Sequence, residues 1–197
     1  MESAVRPLLE VLGEVPDYRT LRGRRYSLAS VLTLVCLATM CGYKSYGAMA
    51  CWVEDYGDHW LPLLGFDRGV APSVGTLHTI LTRLDAPALE VVLSQWAHSV
   101  FEAAHASAPE ERVVAIDGKT LRSSAKQGCP GAHLLSALAP VLGLTLYQKA
   151  VPSKTNEIGA IQQVLEALVL HGRIITVDAL LTQRAVARAI VEKGGTT

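Results

Sequence analysis

Two aspartates each close a short, β-rich apolar run: Asp117 ends VVAID and Asp178 ends RIITVD, 61 residues later. A lone aspartate at such a position commonly just ends a strand or caps a helix. A matched pair does more if the two strands are neighbours, because both carboxylates then stand at one end of the same sheet. Hard cations such as Mg²⁺ or Mn²⁺ select carboxylate oxygens, and Mg²⁺ usually keeps several waters. Two such ions about 4 Å apart can activate a nucleophile and stabilise a leaving oxygen in phosphoryl transfer. Open α/β sheets also place their sites at the carboxyl ends of strands. Asp117 and Asp178 are therefore the candidate metal ligands and catalytic acids.

Several cations accompany them. Gly118, Lys119 and Thr120 follow Asp117, but a phosphate-binding loop needs glycine where Val113 stands, so that motif is excluded. Lys119 and Arg122 remain as plain cations for phosphates, and the alternative is an ordinary solvated loop. Lys154 lies beside Asn156, the single asparagine of the chain, at a helix start that suits phosphate or simple capping. Arg22, Arg24 and Arg25, with Arg19 nearby, form the densest basic cluster, suited to a nucleic-acid backbone or to solvation. Residues 72–84 read as a polar turn into an amphipathic helix. Leu77, Ile80, Leu81 and Leu84 give its apolar face, and Ser73, Thr76, Thr79 and Arg83 its outward one. A helix-turn-helix recognition helix is built this way, as is any amphipathic helix. Thr76 and Arg83 complete the candidate DNA contacts.

The elements that must position these residues fall into two kinds. Up to about residue 105 the pattern is helical. Leu8, Leu9, Leu12 and Val15 form a short amphipathic stretch; residues 28–41 form a buried helix ending near Gly42; a third runs from Ser45 to about Tyr56. Leu89, Val92, Leu93, Trp96 and Val100 share one helical face, with Asp85 and Pro87 at its start. Residues 106–112, ASAPEER, are the candidate linker. From 113 to 197 the order is β, β, β, α, β, α, with a hairpin turning at residues 140–143 and Thr182 capping the last helix. The fold class is α+β or α/β: a helical domain at 1–105, then a sheet-and-helix domain at 113–197.

Composition narrows the function classes. The chain has 197 residues, half of them apolar and 18% charged, which excludes disorder, collagen and a disulfide scaffold. Its net charge of zero speaks against a nucleic-acid binder only as a sum. Residues 1–112 carry −4 and residues 113–197 carry +4. Cys36, Cys41, Cys51 and Cys129 have no zinc-like spacing and read as reduced thiols of a cytoplasmic protein. His59, His98, His105 and His133 show no ligand pattern. The longest apolar run, about 14 residues, is short of the roughly 20 that a membrane span needs.

Three stretches resemble bacterial insertion-sequence transposases of the H-repeat-associated group: VVAIDGKTLRSS, HLLSALAPVLGLTLYQKAVPSKTNEI, and IITVDAL with Gln183 soon after. VPDYRTLRGRRYSLASVL, SYGAMACW and PSVGTLHTILTRLD are similar to that group's N-terminal domain. The resemblance runs in order over nearly the whole chain. It implies an RNase H-like domain with a DDE triad, Asp117 first and Asp178 second, and Mg²⁺ or Mn²⁺ as cofactor. Such enzymes cut DNA at transposon ends and join the 3′-OH to target DNA. Double-stranded DNA is the implied partner, with room for a homo-oligomer. The triad's third acid, a glutamate on a later helix, has no counterpart: Glu157 and Glu192 lie on the wrong elements. The expectation is a C-terminally truncated domain, lacking the last strand and helix and inactive alone. The alternatives are a non-catalytic DNA-binding remnant, or regulator of a full-length transposase, and a fragment that does not fold stably.

Overall fold

Residues 28–40 combine an uncharged apolar run with a serine before it, and they form the first long helix. The structure, a computed structural model, describes residues 5–22, 24–103, 112–121, 131–151, 157–179 and 181–197. Contacts divide the chain into two compact units, residues 6–96 and residues 97–197 with the first five residues.

The unit of residues 6–96 is helical: α1 (Leu8–Val11) passing into a 3₁₀ turn at Leu12–Glu14, α2 (Leu28–Met40), α3 (Tyr46–Leu63), α4 (Val74–Leu81) and the start of α5 (Ala86–Ala103). Its helix starts are capped. Ser27, Ser45 and Ser73 accept the N–H of Ser30, Ala48 and Thr76, and Asp85 accepts that of Ala88, each satisfying an orphan donor. The stop of α2 is a Schellman turn: Gly42 adopts φ +93° while Tyr43 N–H reaches Ala38 and Gly42 N–H reaches Thr39. Helix α3 outruns the expected end at Tyr56 and holds Pro62 in its final turn, where the missing N–H leaves the Asp58 carbonyl without its helical bond and the helix stops one residue later. Leu12, Val31, Leu34, Trp52, Leu77 and Ile80 centre the core.

The second unit follows the expected order: β1 (Val113–Thr120), β2 (His133–Ala139), β3 (Leu144–Val151), α6 (Glu157–Ala167), β4 (Ile174–Val177) and α7 (Arg184–Glu192). The architecture is thus mixed α and β, with a four-stranded sheet ordered β3-β2-β1-β4. Strand β1 pairs antiparallel with β2 and parallel with β4. Val114, Ile116, Leu135, Ala137 and Ile175 share a core with Ile161, Val164 and Leu165 of α6, Val186 and Ile190 of α7, and Phe101. Past α7, Thr196 makes a parallel bridge to Ile174: its N–H donates to Arg173 O at 2.9 Å and its carbonyl accepts from Ile175 at 2.7 Å.

Two expectations change in this second unit. Strand β1 does not stop at Asp117; it continues to Thr120, because β2 pairs with residues 117–120 as well. Thr182 does not cap the last helix. Gln183 holds the cap position without a side-chain bond, and the Thr182 hydroxyl donates to the Asp178 carbonyl at 3.0 Å. Thr155, Asn156, Cys129 and the candidate linker, apart from Arg112, lie outside the described residues.

Candidate metal centre and nucleic-acid surfaces

Strand alternation sorts β1 into two faces. Val114 and Ile116 are buried in the core, while Asp117 and Lys119 stand exposed on the opposite face. The parallel ladder to β4 pairs Val114 with Ile175 and Ile116 with Val177, where it ends. Asp117 is the next residue of β1, and Asp178 is the first residue past β4. Neighbouring strands run about 4.8 Å apart, so the chain brings the two aspartates to the same end of the ladder. Asp178 is exposed too, and its carbonyl accepts from Leu181 N–H, Thr182 N–H and the Thr182 hydroxyl, which fixes the turn leaving β4.

The donor set is two carboxylates. Among the described residues no group of three or more His, Cys, Asp or Glu side chains gathers, and no described ion pair engages Asp117 or Asp178. Two exposed carboxylates facing solvent fit an oxygen-preferring cation that keeps part of its water. Cys36, Cys41 and Cys51 are free thiols, and burial raises the Cys36 pKa. His133 is buried with Nδ1 2.8 Å from the Thr120 hydroxyl, on the face away from Asp117.

The basic candidates separate. Lys119 shares the face of Asp117; Arg122 and Lys154 lie outside the described residues. In the helical unit, Arg25 and Thr76 meet on one cleft of about 720 Å³, lined also by Arg19, Ser73, Gly75 and Thr79. Arg22 and Arg83 are exposed but do not line it. Arg24 folds back: Nε donates to Thr20 O at 3.2 Å, Nη2 donates to Arg19 O, and Nη1 sits 3.4 Å from Asp17. It therefore shapes its own loop.

Two tyrosines tie the arginine loop to α4, and neither carries a local sequence signal. Tyr18 donates to Ile80 O at 3.0 Å across 62 positions, and Tyr26 to Ala71 O at 3.1 Å across 45. The loop is locked from within by Asp17, whose two oxygens accept Arg19 Nε and Nη2 at 2.8 Å each. Hydrogen bonding from Arg19 holds the Asp17 carboxyl below its ordinary value of 3.8. A carboxylate depressed on folding stabilises fully above its unfolded value, and that contribution is lost as pH falls through the folded one. Asp17→Asn is thus expected to cost about 1–2 kcal/mol at neutral pH. Thermal melts across pH should show the gap to wild type closing as pH falls below the ordinary value of 3.8 and through the lowered folded-state one.

Comparison with known proteins agrees with this organisation. The family described as DDE_Tnp_1-associated matches residues 9–97. Over 96% of the chain it is 31% identical to "Putative transposase YncI" of Escherichia coli K12, covering 75% of that protein. It is 31% identical over 96% of its length to the protein of the same name from Escherichia coli O157:H7, covering 48% of it. To "H repeat-associated putative transposase YhhI" of Escherichia coli K12 it is 30% identical over 97% of its length, covering 50%. The chain thus spans about half the length of two of these relatives and three quarters of the third. Among solved structures, a piggyBac transposase synaptic complex with hairpin DNA matches at a TM-score of 0.38 and 11% identity, over 96% of this chain and 45% of that one. A likeness of that size assigns neither fold nor function. The sequence relationships do assign a family: the chain belongs to the H repeat-associated transposases.

Proposed function

We propose that this chain carries two acids of a DDE-type centre, Asp117 and Asp178, on an RNase H-like sheet of the kind that serves metal-dependent DNA cleavage and strand transfer at insertion-sequence ends, and that these two acids alone support weak nicking and no strand transfer. The observation that carries this reading is the parallel ladder of β1 and β4, ending one residue before both aspartates. The Thr196 bridge, a further parallel partner on β4, agrees with an RNase H-like order. Asp117 and Asp178 would hold Mg²⁺ or Mn²⁺. Such an ion, when bound, activates water and stabilises charge on the phosphoryl oxygens. Lys119 draws phosphate to the same face, with Arg122 and Lys154 as further phosphate contacts. Arg22, Arg25, Thr76 and Arg83 give the helical unit its DNA backbone contacts, and Arg24 shapes the loop that presents them. No described helix is long and apolar enough to cross a membrane.

A second reading, a DNA binder without strand-transfer activity, is favoured by one observation: no third acid joins the pair among the described residues. One experiment addresses both. Supercoiled plasmid is incubated with the chain in Mg²⁺, Mn²⁺ or EDTA, and binding is titrated against salt. The expected result is weak nicking that needs the metal, no strand transfer, and binding that falls steeply with salt. Cleavage in EDTA would contradict the metal reading, and salt-independent binding would contradict phosphate contact.

A further inference from the structure

The face that holds the aspartates continues across the sheet. Residues directly paired in a ladder point their side chains to the same face. Asp117 pairs with Ser136 of β2, and Ser136 pairs with Gln148 of β3. Asp117, Ser136 and Gln148 therefore form a single row perpendicular to the strands, and Asp178 follows the end of β4 beside it. Each strand step is about 4.8 Å, so Gln148 stands roughly 10 Å beyond Asp117.

Three features make this row suited to an extended ligand. It is accessible: Asp117 and Asp178 are exposed, and Ser136 and Gln148 are half-buried. It is polar at every position, although the neighbouring positions of β2 on that face are Leu134 and Leu138. The irregularity between Ala137 and Leu138 lies just past the Ser136–Gln148 pair, so the register holds throughout the row. A serine hydroxyl donates or accepts, and a glutamine amide donates to anionic oxygens without adding charge.

We infer that Ser136 and Gln148 are positioning residues that hydrogen-bond the phosphodiester backbone of the DNA strand next to the phosphate at Asp117 and Asp178. The strand then crosses β4, β1, β2 and β3 along the row. Neutral donors hold the backbone in register and leave the bound metal and Lys119 as the charges near the reacting phosphate. This inference rests on the metal-dependent reading of the aspartates, and its test separates the two.

The full chain is titrated with a fluorescent 20-base-pair duplex in Mg²⁺ and in EDTA at several salt concentrations, and Mn²⁺ binding is followed by electron paramagnetic resonance. The Ser136→Ala/Gln148→Ala double variant is expected to bind DNA about tenfold more weakly in Mg²⁺. Its Mn²⁺ affinity and the slope of log K against log salt stay unchanged, because no charge is removed. Lys119→Ala should reduce that slope by about one. Ser136→Thr keeps the hydroxyl and should retain wild-type affinity, which separates lost contact from disturbed folding. Wild-type DNA affinity in the double variant, with Mn²⁺ binding lost in Asp117→Asn, would overturn the inference and leave the metal reading standing. Mn²⁺ binding unchanged in both Asp117→Asn and Asp178→Asn would overturn both.

Discussion

Asp117→Asn and Asp178→Asn are each expected to bring metal-dependent nicking of plasmid DNA to background, a loss on the order of 100-fold or more if the carboxylates hold the reactive ion. Asparagine keeps the shape of the side chain and removes its charge, so the fold should persist. Both aspartates are exposed, and no described ion pair depends on them. Far-ultraviolet circular dichroism should therefore overlay with wild type while activity disappears. The two losses should not add, since either variant breaks the same centre. Full nicking by either variant would remove that residue from the site.

Ile116→Ala should produce the largest loss of stability. Ile116 is 2% exposed and sits between Ala137 of β2 and Val177 of β4, inside the core shared with α6. Truncating a buried isoleucine costs about 2–5 kcal/mol, the transfer term plus the cavity left behind. For a unit of this size that lowers the melting temperature by roughly 10–20 °C. The neighbouring residue is Asp117, so the ladder end that aligns the two carboxylates loosens as well. Nicking should fall by more than the unfolded fraction explains. Differential scanning calorimetry beside the nicking assay checks both parts, and a shift below about 3 °C would mean that this position is not part of a packed core.

Much of this organisation is legible in the sequence because it is local. Serines ahead of apolar runs announce α2, α3 and α4, and the alternation around Val114 and Ile116 announces β1. The run IITVD reads as a strand for the same reason, and two such strands flanking a helix suggest a parallel pair. What stays hidden depends on distant partners. The polar stretch from Gly118 to Thr120 reads as a loop, yet β2 recruits it into the sheet. Arg24 reads as a free cation like Arg25, but it serves its own loop's carbonyls. Tyr18 and Tyr26 bond across 62 and 45 positions, and no spacing rule reaches so far. The row of Asp117, Ser136 and Gln148 exists only through register, because each member comes from a different strand.

The central claim is that Asp117 and Asp178 together hold a divalent cation on the open face of the sheet. A crystal of the chain soaked in Mn²⁺, with data collected at the manganese absorption edge, tests this most directly. An anomalous peak within coordination distance of both carboxylates is the predicted result. Ordered Mn²⁺ bound elsewhere, with both carboxylates turned away from it, would contradict it.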